Sequence, residues 1–328
     1  MKIYAFDVRD DERQYFEQLK KEKGLDIQLR TDSLTMDTIP FLEENSAVTI
    51  LGMEKYGEAE MKALAAKKIY YLSTRTIGYD HIDLEAAKKY GIHVANAAYG
   101  PESVADYTIM MILLCLRPYK QALWRMQVND FSLGGLIGRE IHDLTIGVIG
   151  TGRIGSTVIR ELSGFGCKII AYDKYPKEEV KKYAAYVDTL DELYKEADVI
   201  TIHTVLNDST YHMIDGNAIA KMKDGVVLVN CARGPLMDMS ALIAGIESEK
   251  IGALGLDTVE NEQSYVHQNR KTDIFSDRDI AYLKQFKNVI YTQHMAFYTE
   301  EAVRSMVEAG VLSLVDMNQG KETRLQLV

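Results

Sequence analysis

The stretch 145–173 constrains the fold more than any other part of the chain. It begins with the apolar run Thr145–Ile149, continues into three glycines spaced as GxGxxG, and then carries helical spacing over 156–165. A second apolar run, Lys168–Tyr172, follows and ends on Asp173. Strand, glycine turn, helix, strand and acid in this order are typical of a dinucleotide-binding βαβ unit.

Each part of this motif has a physical reason to bind a dinucleotide. Gly150 permits a tight turn, Gly152 lets backbone N–H groups approach a pyrophosphate, and Gly155 lets the helix pack close to the strand. Asp173 can accept hydrogen bonds from both ribose hydroxyls and would repel a 2′-phosphate, which favours NAD over NADP. The alternative is a tight turn that binds no ligand. The residues predicted to contact NAD here are Gly150, Gly152, Arg153, Ile154, Gly155 and Asp173.

The composition excludes several other classes of protein. The 328 residues, 47% hydrophobic and 26% charged, predict a soluble globular protein of one or two domains. A net charge of −10 without a basic stripe argues against nucleic acid as a partner. The three cysteines lack metal-ligand spacing, so we expect no metal site.

The same cysteines lie in apolar or strand-like surroundings, which fits a reducing cytoplasm. The N-terminus begins with a strand and carries no basic-then-apolar leader, so no secretion signal is expected. The longest apolar run, 109–116, is far shorter than the ~18 residues that suggest a membrane span. We therefore expect a cytoplasmic protein that does not enter the membrane.

Short apolar strands alternate with helices on both sides of the glycine motif. This alternation predicts the α/β class, with two doubly wound parallel-sheet domains, Rossmann-like or flavodoxin-like. Strands are predicted at 2–6, 26–30, 47–51, 69–72, 93–96, 198–204, 225–232, 252–256 and 289–292, and helices at 11–23, 58–67, 239–248 and 301–318.

A further helix is predicted directly after Pro101. Proline at a first helical position, with acids in the first turn, is a start signal. The helix is apolar on nearly every side, which predicts that it has no exposed face. We expect it to pack against a second copy of the chain, and burial between the two domains is the alternative.

Ligands of open α/β sheets bind beyond the carboxyl ends of the strands. After the glycine motif, four strand ends carry polar or charged residues, at 203–204, 230–234, 257–262 and 293–294. Reduction of a 2-keto acid by a nicotinamide needs a fixed cation for the carboxylate and an acid for the carbonyl oxygen. Arg233 suits the first role and His294 the second, with Glu262 or Asp257 as a carboxylate beside the imidazole.

Each of these residues also has an ordinary structural interpretation. A strand-end histidine is often only a hydrogen-bonded structural residue, and Glu262 lies in a polar loop where solvated acids are common. Only the combination of these residues on one edge of a dinucleotide-binding domain favours a catalytic role over a structural one. His203 could approach the cofactor, and the histidines interpreted as structural are His81, His93, His142, His212 and His267.

Over essentially its whole length the chain resembles the D-isomer-specific 2-hydroxyacid dehydrogenases, and within them the D-lactate dehydrogenase branch. The matching stretches are 73–83, 98–101, 150–155, 230–235, 256–262 and 294–300. The resemblance implies a substrate domain at 1–99 plus 299–328, an NAD-binding Rossmann domain at 100–298, and an active-site cleft between them. It also implies a homodimer formed through the helix after Pro101.

The resemblance implies a role for each matching residue. Arg233 would bind and polarise the substrate, and Glu262 would pair with His294, the acid and base. Asp257 would support Arg233 and the nicotinamide. Backbone N–H groups of Ile77 and Gly78 would hold the substrate carboxylate, with Tyr99 and Tyr298 lining the pocket. Further contacts to NAD are expected from Thr204, Cys231, Ala232 and Asp257.

Some positions depart from the family pattern. Gln293 stands where proline usually precedes the histidine, Gly100 where serine often follows the tyrosine, and Cys231 where threonine is common. Leu51-Gly52-Met53 replaces the polar-aromatic stretch of many D-lactate dehydrogenases, beside the pocket for the substrate side chain.

The resulting expectation is an enzyme that uses NADH to reduce pyruvate to D-lactate. The alternative is reduction of larger branched or aromatic 2-keto acids, giving 2-hydroxyisocaproate or phenyllactate. A third possibility is a non-catalytic NAD(H) sensor, because corepressors of this fold carry the same Arg, Glu and His set.

Overall fold

The computed structural model describes residues 1–52 and 54–328, and the chain forms two compact α/β units. Unit 1 comprises Met1–Gly100 and Tyr298–Val328, and unit 2 comprises Pro101–Phe297. Among the helices that the structure describes, none combines the length and the apolar character needed to cross a lipid bilayer.

Unit 1 is built on a five-stranded parallel sheet. Its strands are β1 (Lys2–Ala5), β2 (Asp26–Leu29), β3 (Ala47–Ile50), β4 (Tyr71–Thr74) and β5 (His93–Ala95). The order β2-β1-β3-β4-β5 is the flavodoxin-like order. The helices are α1 (Asp10–Lys23), α2 (Glu58–Ala66), α3 (Leu84–Lys89) and, at the C-terminus, α11 (Glu300–Asn318).

The C-terminal helix α11 belongs to unit 1 because its apolar stripe covers that sheet. It begins at Thr299, whose side chain accepts a hydrogen bond from the Ala302 N–H group. Val307, Val311 and Leu314 recur at helical spacing and pack in the same apolar cluster as strand residues of β1.

Unit 2 is built on a seven-stranded parallel sheet. Its strands are β6 (Thr145–Ile149), β7 (Lys168–Tyr172), β8 (Ala185–Tyr186), β9 (Val199–Ile202), β10 (Val226–Asn230), β11 (Ile251–Leu256) and β12 (Val289–Tyr291). The order β12-β11-β10-β9-β6-β7-β8 is the Rossmann order extended by one strand. The predicted fold class is therefore confirmed. The helices are α4 (Glu102–Leu116), α5 (Tyr119–Gln127), α6 (Arg153–Leu162), α7 (Leu190–Glu196), α8 (Gly216–Lys221), α9 (Met239–Glu247) and α10 (Arg278–Leu283).

The helix α4 differs from its prediction. Most of its apolar side chains are buried against α6 and strands β10 to β12. Glu102, Asp106 and Met110, four residues apart, nevertheless form an exposed stripe, and Met110 is 40% exposed. The prediction of a helix without an exposed face is therefore wrong for a single chain, in which the two acids and Met110 are exposed.

Candidate active site

The glycine motif lies where the strand order of unit 2 reverses. Gly150 follows β6, and its N–H group donates to the carbonyl of Tyr172 at the end of β7, at 2.8 Å. On the other side His203 follows β9 and donates to the carbonyl of Ile149 at 2.7 Å. Ligands of open α/β sheets bind at such a reversal point.

Two glycines of the motif are required by the packing of the chain itself. Gly150 has φ +90°, and a Cβ atom there would lie 2.7 Å from the backbone of His203. A Cβ atom on Gly155 would lie 1.9 Å from the carbonyl oxygen of Gly150. Neither position can hold another residue without displacing the backbone.

Gly152 is different, because the chain does not explain why it is glycine. Its φ is −62°, and a Cβ atom there would meet no described atom within 4 Å. It lies at the N-terminus of α6, where N–H groups and the helix dipole favour an anion. Open space above a helix N-terminus fits the pyrophosphate of a dinucleotide.

Asp173 is tied to the glycine turn. One carboxylate oxygen accepts the Thr151 N–H at 2.6 Å and the Thr151 hydroxyl at 3.1 Å, and the other accepts the Tyr175 N–H at 2.8 Å. The Tyr186 hydroxyl donates to Thr151 Oγ1 at 2.7 Å. Since each carboxylate oxygen has two lone pairs, Asp173 is fixed beside the motif and can still accept one hydroxyl hydrogen bond, on the oxygen that binds the Tyr175 N–H group.

The other predicted cofactor residues lie at the ends of β9, β10 and β11 or in the first turn of α6. Arg153 and Ile154 open α6, and Thr204 lies against Gly150, its N–H 2.8 Å from where a Cβ atom would be. The Cys231 thiol is buried, and burial raises its pKa, so this residue can offer a cofactor only its backbone. Ala232 is half-buried.

His203 is held neutral. Its Nε2 atom lies 3.0 Å from the Thr201 hydroxyl, and burial lowers the pKa of His203 to about 4. The imidazole therefore presents an uncharged polar surface beside the glycine turn near pH 7.

The loop that carries Arg233 is fixed from within. Asn230, fully buried at the end of β10, donates from Nδ2 to the Arg233 carbonyl at 2.8 Å and accepts from the Ala232 N–H at 2.9 Å. The guanidinium Nη1 of Arg233 donates to the Ala232 carbonyl at 2.8 Å. Sequence reasoning missed Asn230 as a positioning residue, although an asparagine that ends a fully apolar strand was the available signal.

The Arg233 loop packs directly on the loop that follows β11. A Cβ atom on Gly234 would lie 2.0 Å from the carbonyl carbon of Val259. Glycine at 234 therefore lets the two backbones touch.

Glu262 and His294 are joined by a short hydrogen bond, as predicted. His294 Nδ1 lies 2.6 Å from Glu262 Oε1, and the carboxylate is 8% exposed against 32% for the imidazole. The other oxygen of Glu262 accepts the Val259 N–H at 2.9 Å. A carboxylate held in this way orients the imidazole and leaves its Nε2 atom for chemistry.

Asp257 holds the segment that carries His294. This carboxylate is fully buried and accepts three hydrogen bonds of 2.6–2.9 Å, from the Thr292 hydroxyl and the N–H groups of Met295 and Ala296. The backbone carbonyl of Asp257 also accepts the His294 N–H at 2.8 Å. Support of Arg233 by Asp257 stays a prediction.

The three strands beneath these residues end at the same level. Asn230 pairs with Leu256, and Leu256 pairs with Tyr291. Arg233, Glu262 and His294 follow these strand ends, so all three lie on one edge of one sheet.

In unit 1 the loop after β4 presents two amide groups. The Thr76 hydroxyl donates to the Gly78 carbonyl at 2.6 Å, and the Asn96 side chain donates to the Ile77 carbonyl at 2.8 Å. Among the residues described, the N–H groups of Ile77 and Gly78 have no acceptor. Such a pair of donors fits a carboxylate.

The aromatic residues predicted to line the pocket also lie in unit 1. Tyr99 is half-buried, and Tyr298 is 47% exposed with the Arg9 guanidinium 5.5 Å above its ring. Of the stretch Leu51-Gly52-Met53, Met53 lies outside the described residues. Gly52 has φ +84°, and a Cβ atom there would lie 2.9 Å from the His81 ring.

Comparisons with known proteins identify the family of the chain. Residues 109–296 match the model of the D-isomer specific 2-hydroxyacid dehydrogenase, NAD binding domain. The chain is 45% identical over 316 residues to an aromatic 2-oxoacid reductase of Clostridium sporogenes, covering 96% of this chain and 95% of the relative. It is 37% identical over 324 residues to a D-lactate dehydrogenase of Leuconostoc mesenteroides subsp. cremoris, covering 98% of each. The solved structure of a D-2-hydroxyisocaproate dehydrogenase aligns with a TM-score of 0.91 at 34% identity, and the alignment covers 100% of this chain and 99% of that structure.

Proposed function

The chain belongs to the D-isomer specific 2-hydroxyacid dehydrogenases, which are NAD-dependent enzymes, and on this premise we propose that it reduces aromatic and branched 2-oxo acids. The observation that carries the proposal is the 45% identity to an aromatic 2-oxoacid reductase, against 37% to a D-lactate dehydrogenase at similar coverage. Family membership also favours an enzyme over a non-catalytic NAD sensor.

The stretch around residue 52 bears on the size of the substrate. The family resemblance places it beside the substrate side chain, and it lacks the polar-aromatic residues of many D-lactate dehydrogenases. Pyruvate is the second candidate because D-lactate dehydrogenases match over the whole chain. One additional methylene group in a substrate changes an enzyme's preference for it by only ~1–3 kcal/mol. A few side-chain contacts are therefore enough to decide between pyruvate and a larger 2-oxo acid.

The glycine turn and Asp173 would hold NAD. The turn offers its N–H groups and the open space over Gly152 to the pyrophosphate, and Asp173 offers its carboxylate to the ribose. Bound NADH supplies the hydride that reduces carbon 2 of the substrate. His203, neutral and next to the turn, adds no positive charge there.

Arg233 and His294 would handle the polar end of the substrate. The planar fork of Arg233 would bind the carboxylate and polarise the carbonyl oxygen. For the amides of Ile77 and Gly78 in unit 1, contact with this carboxylate is what the family resemblance implies. Because Nδ1 of His294 is engaged by Glu262, the proton that reaches the carbonyl oxygen comes from Nε2. In the reverse direction the same nitrogen removes it.

A substrate panel tests the proposal. The decrease in NADH absorbance is followed with phenylpyruvate, 2-ketoisocaproate, 2-ketobutyrate and pyruvate, and kcat/KM is compared. We expect phenylpyruvate and 2-ketoisocaproate to exceed pyruvate by roughly tenfold or more, the scale of a few well-filled methylenes. The reverse order would assign the enzyme to pyruvate. No turnover with any of the four, together with tight NADH binding, would restore the sensor interpretation.

The proposed enzyme acts as a homodimer joined through α4 and the segment that follows it. Nine large apolar side chains between residues 110 and 137 are 40–92% exposed in the single chain. Monomers rarely expose apolar groups so densely, and a second copy of the same surface would cover them. These residues are Met110, Tyr119, Leu123, Trp124, Met126, Val128, Phe131, Leu133 and Ile137.

A cytoplasmic location is part of the proposal. All three cysteines, Cys115, Cys167 and Cys231, are free thiols. Free thiols suit a reducing compartment, where NADH is also available.

A further inference from the structure

We infer that His267 is a positioning residue, which fixes the backbone of His294 in the orientation that catalysis needs. The inference rests on the proposed function, in which His294 is the acid and base. It concerns a residue for which the sequence suggested only a structural role.

The contact is a direct hydrogen bond to the main chain of His294. The Nε2 atom of His267 lies 3.0 Å from the carbonyl oxygen of His294. Because a carbonyl only accepts, Nε2 must be the donor, so the His267 ring is either the neutral tautomer with its proton on Nε2 or the doubly protonated form. The two imidazole centroids are 6.1 Å apart, and the Phe297 ring lies 6.1 Å from one and 6.3 Å from the other.

The backbone of His294 needs external support. Its φ is +54°, in the left-handed region that residues with a Cβ atom adopt at a cost. Three contacts hold it there. The N–H group binds the Asp257 carbonyl, the ring binds Glu262, and the carbonyl binds His267.

Two of these three contacts come from one short turn. The N–H groups of Tyr265 and Val266 donate to the Glu262 carbonyl at 3.0 and 2.8 Å, and Val266 is buried. This turn therefore sets the distance between Glu262 and His267. The ring of His294 and its main chain are thus held by groups whose spacing is fixed, which keeps Nε2 aimed in one direction.

The test compares His267→Ala with His267→Gln in the full-length enzyme. The Gln amide nitrogen is as many bonds from Cα as imidazole Nε2, so it can restore the donor without restoring the ring. The readout is the single-turnover rate of NADH oxidation at saturating phenylpyruvate, which reports the chemical step. We expect His267→Ala to lower this rate about 3- to 10-fold, the usual worth of one hydrogen bond, and His267→Gln to return it to within about twofold of wild type.

Three controls distinguish a loss of orientation at His294 from an unspecific effect of mutation, from a loss of folding or NADH binding, and from failure of the proposed function. His142→Ala, at an exposed histidine whose ring contacts only Glu140 and Asp143 among the ion pairs described, should leave the rate unchanged. The Kd for NADH and the Tm of each variant should match wild type, since the inference concerns orientation and not folding. His294→Ala must abolish turnover, and if it does not, the proposed function itself fails.

The inference is overturned if His294→Ala is inactive while His267→Ala keeps the wild-type rate. It is also overturned if His267→Gln is as slow as His267→Ala, because the hydrogen bond donated to the His294 carbonyl would then not explain the loss of rate.

Discussion

The 2.6 Å hydrogen bond between Nδ1 of His294 and Oε1 of Glu262 joins the ends of two neighbouring strands. His294 follows β12, and Glu262 lies in the loop after β11. The carboxylate is nearly buried and the imidazole a third exposed, so the hydrogen bond orients a ring that remains accessible from outside the protein.

Replacement of Glu262 should disable proton transfer. In Glu262→Gln the imidazole loses its negatively charged hydrogen-bond partner, and we expect kcat to fall by about 10² or more. The KM for NADH should hardly change. Steady-state kinetics with phenylpyruvate provides the measurement. Glu260→Gln is the matched control, since this acid of the same loop binds Tyr211 and His212, and an equal loss there would remove the special role of Glu262.

Gly152→Ala should separate cofactor binding from folding. Because its backbone is ordinary and a Cβ atom meets nothing within 4 Å, the apo protein should keep its Tm. A methyl group in the space assigned to the pyrophosphate should weaken NADH binding about tenfold or more. Isothermal titration and thermal unfolding give the two values. Gly155→Ala should instead lower the Tm, because its Cβ atom would overlap the Gly150 carbonyl. Unchanged NADH affinity in Gly152→Ala would argue against a pyrophosphate there.

Asp173→Ala should narrow the preference for NADH over NADPH. The variant removes the charge that repels a 2′-phosphate, and we expect the ratio of the two kcat/KM values to fall by about tenfold. Asp173→Asn is the companion variant, since it loses the charge but retains an oxygen for the Thr151 N–H group. If both variants keep the wild-type ratio, the ribose is recognised elsewhere.

His203 should make unfolding depend on pH. Burial lowers its pKa from 6.5 to about 4, so between these values the unfolded chain binds a proton that the folded protein does not. The stability that the neutral ring contributes is fully present above pH 6.5 and is lost as the pH falls toward 4. The Tm of His203→Gln should therefore fall less than that of wild type between pH 7 and pH 5. His142→Gln should follow wild type, and parallel curves for all three proteins would contradict the prediction.

Trp124→Glu should separate the proposed dimer into single chains. Trp124 is the only tryptophan and is 66% exposed. We expect light scattering to give twice the chain mass of 37.0 kDa for wild type and a single chain for the variant. Ile274→Glu, at a 94% exposed residue outside this surface, should remain dimeric. A wild-type protein of 37.0 kDa would contradict the dimer.

The fold could be predicted because its signals are local. The alternation of apolar runs with helical spacing marks the strands, and β6 and β7 begin and end where the sequence predicts. The predicted strand boundaries are wrong where a buried apolar residue belongs to a turn. Ile69 is fully buried and its apolar run predicts a strand, but its N–H group donates to the carbonyl of Leu64 in α2, and β4 begins at Tyr71.

The site could be predicted only in part. Arg233, Glu262 and His294 stand out because their side chains are the types that the chemistry needs. Asn230 and His267 act by holding the backbone of other residues, and such a role depends on distances between loops that no spacing in the sequence reports. The exposed stripe of α4 is marked in the sequence by two acids four residues apart, Glu102 and Asp106, within an otherwise apolar helix.

The buried carboxylate of Asp257 bears on a further position of the chain. Gln293 stands immediately before the histidine, where relatives in this family usually have proline, and a glutamine backbone is freer to rotate. In this protein the Asp257 carboxylate binds the N–H groups of Met295 and Ala296, directly after His294. A residue at the end of the neighbouring strand β11 therefore holds this part of the main chain in place. A proline at residue 293 is therefore not needed to hold the imidazole of His294 in place.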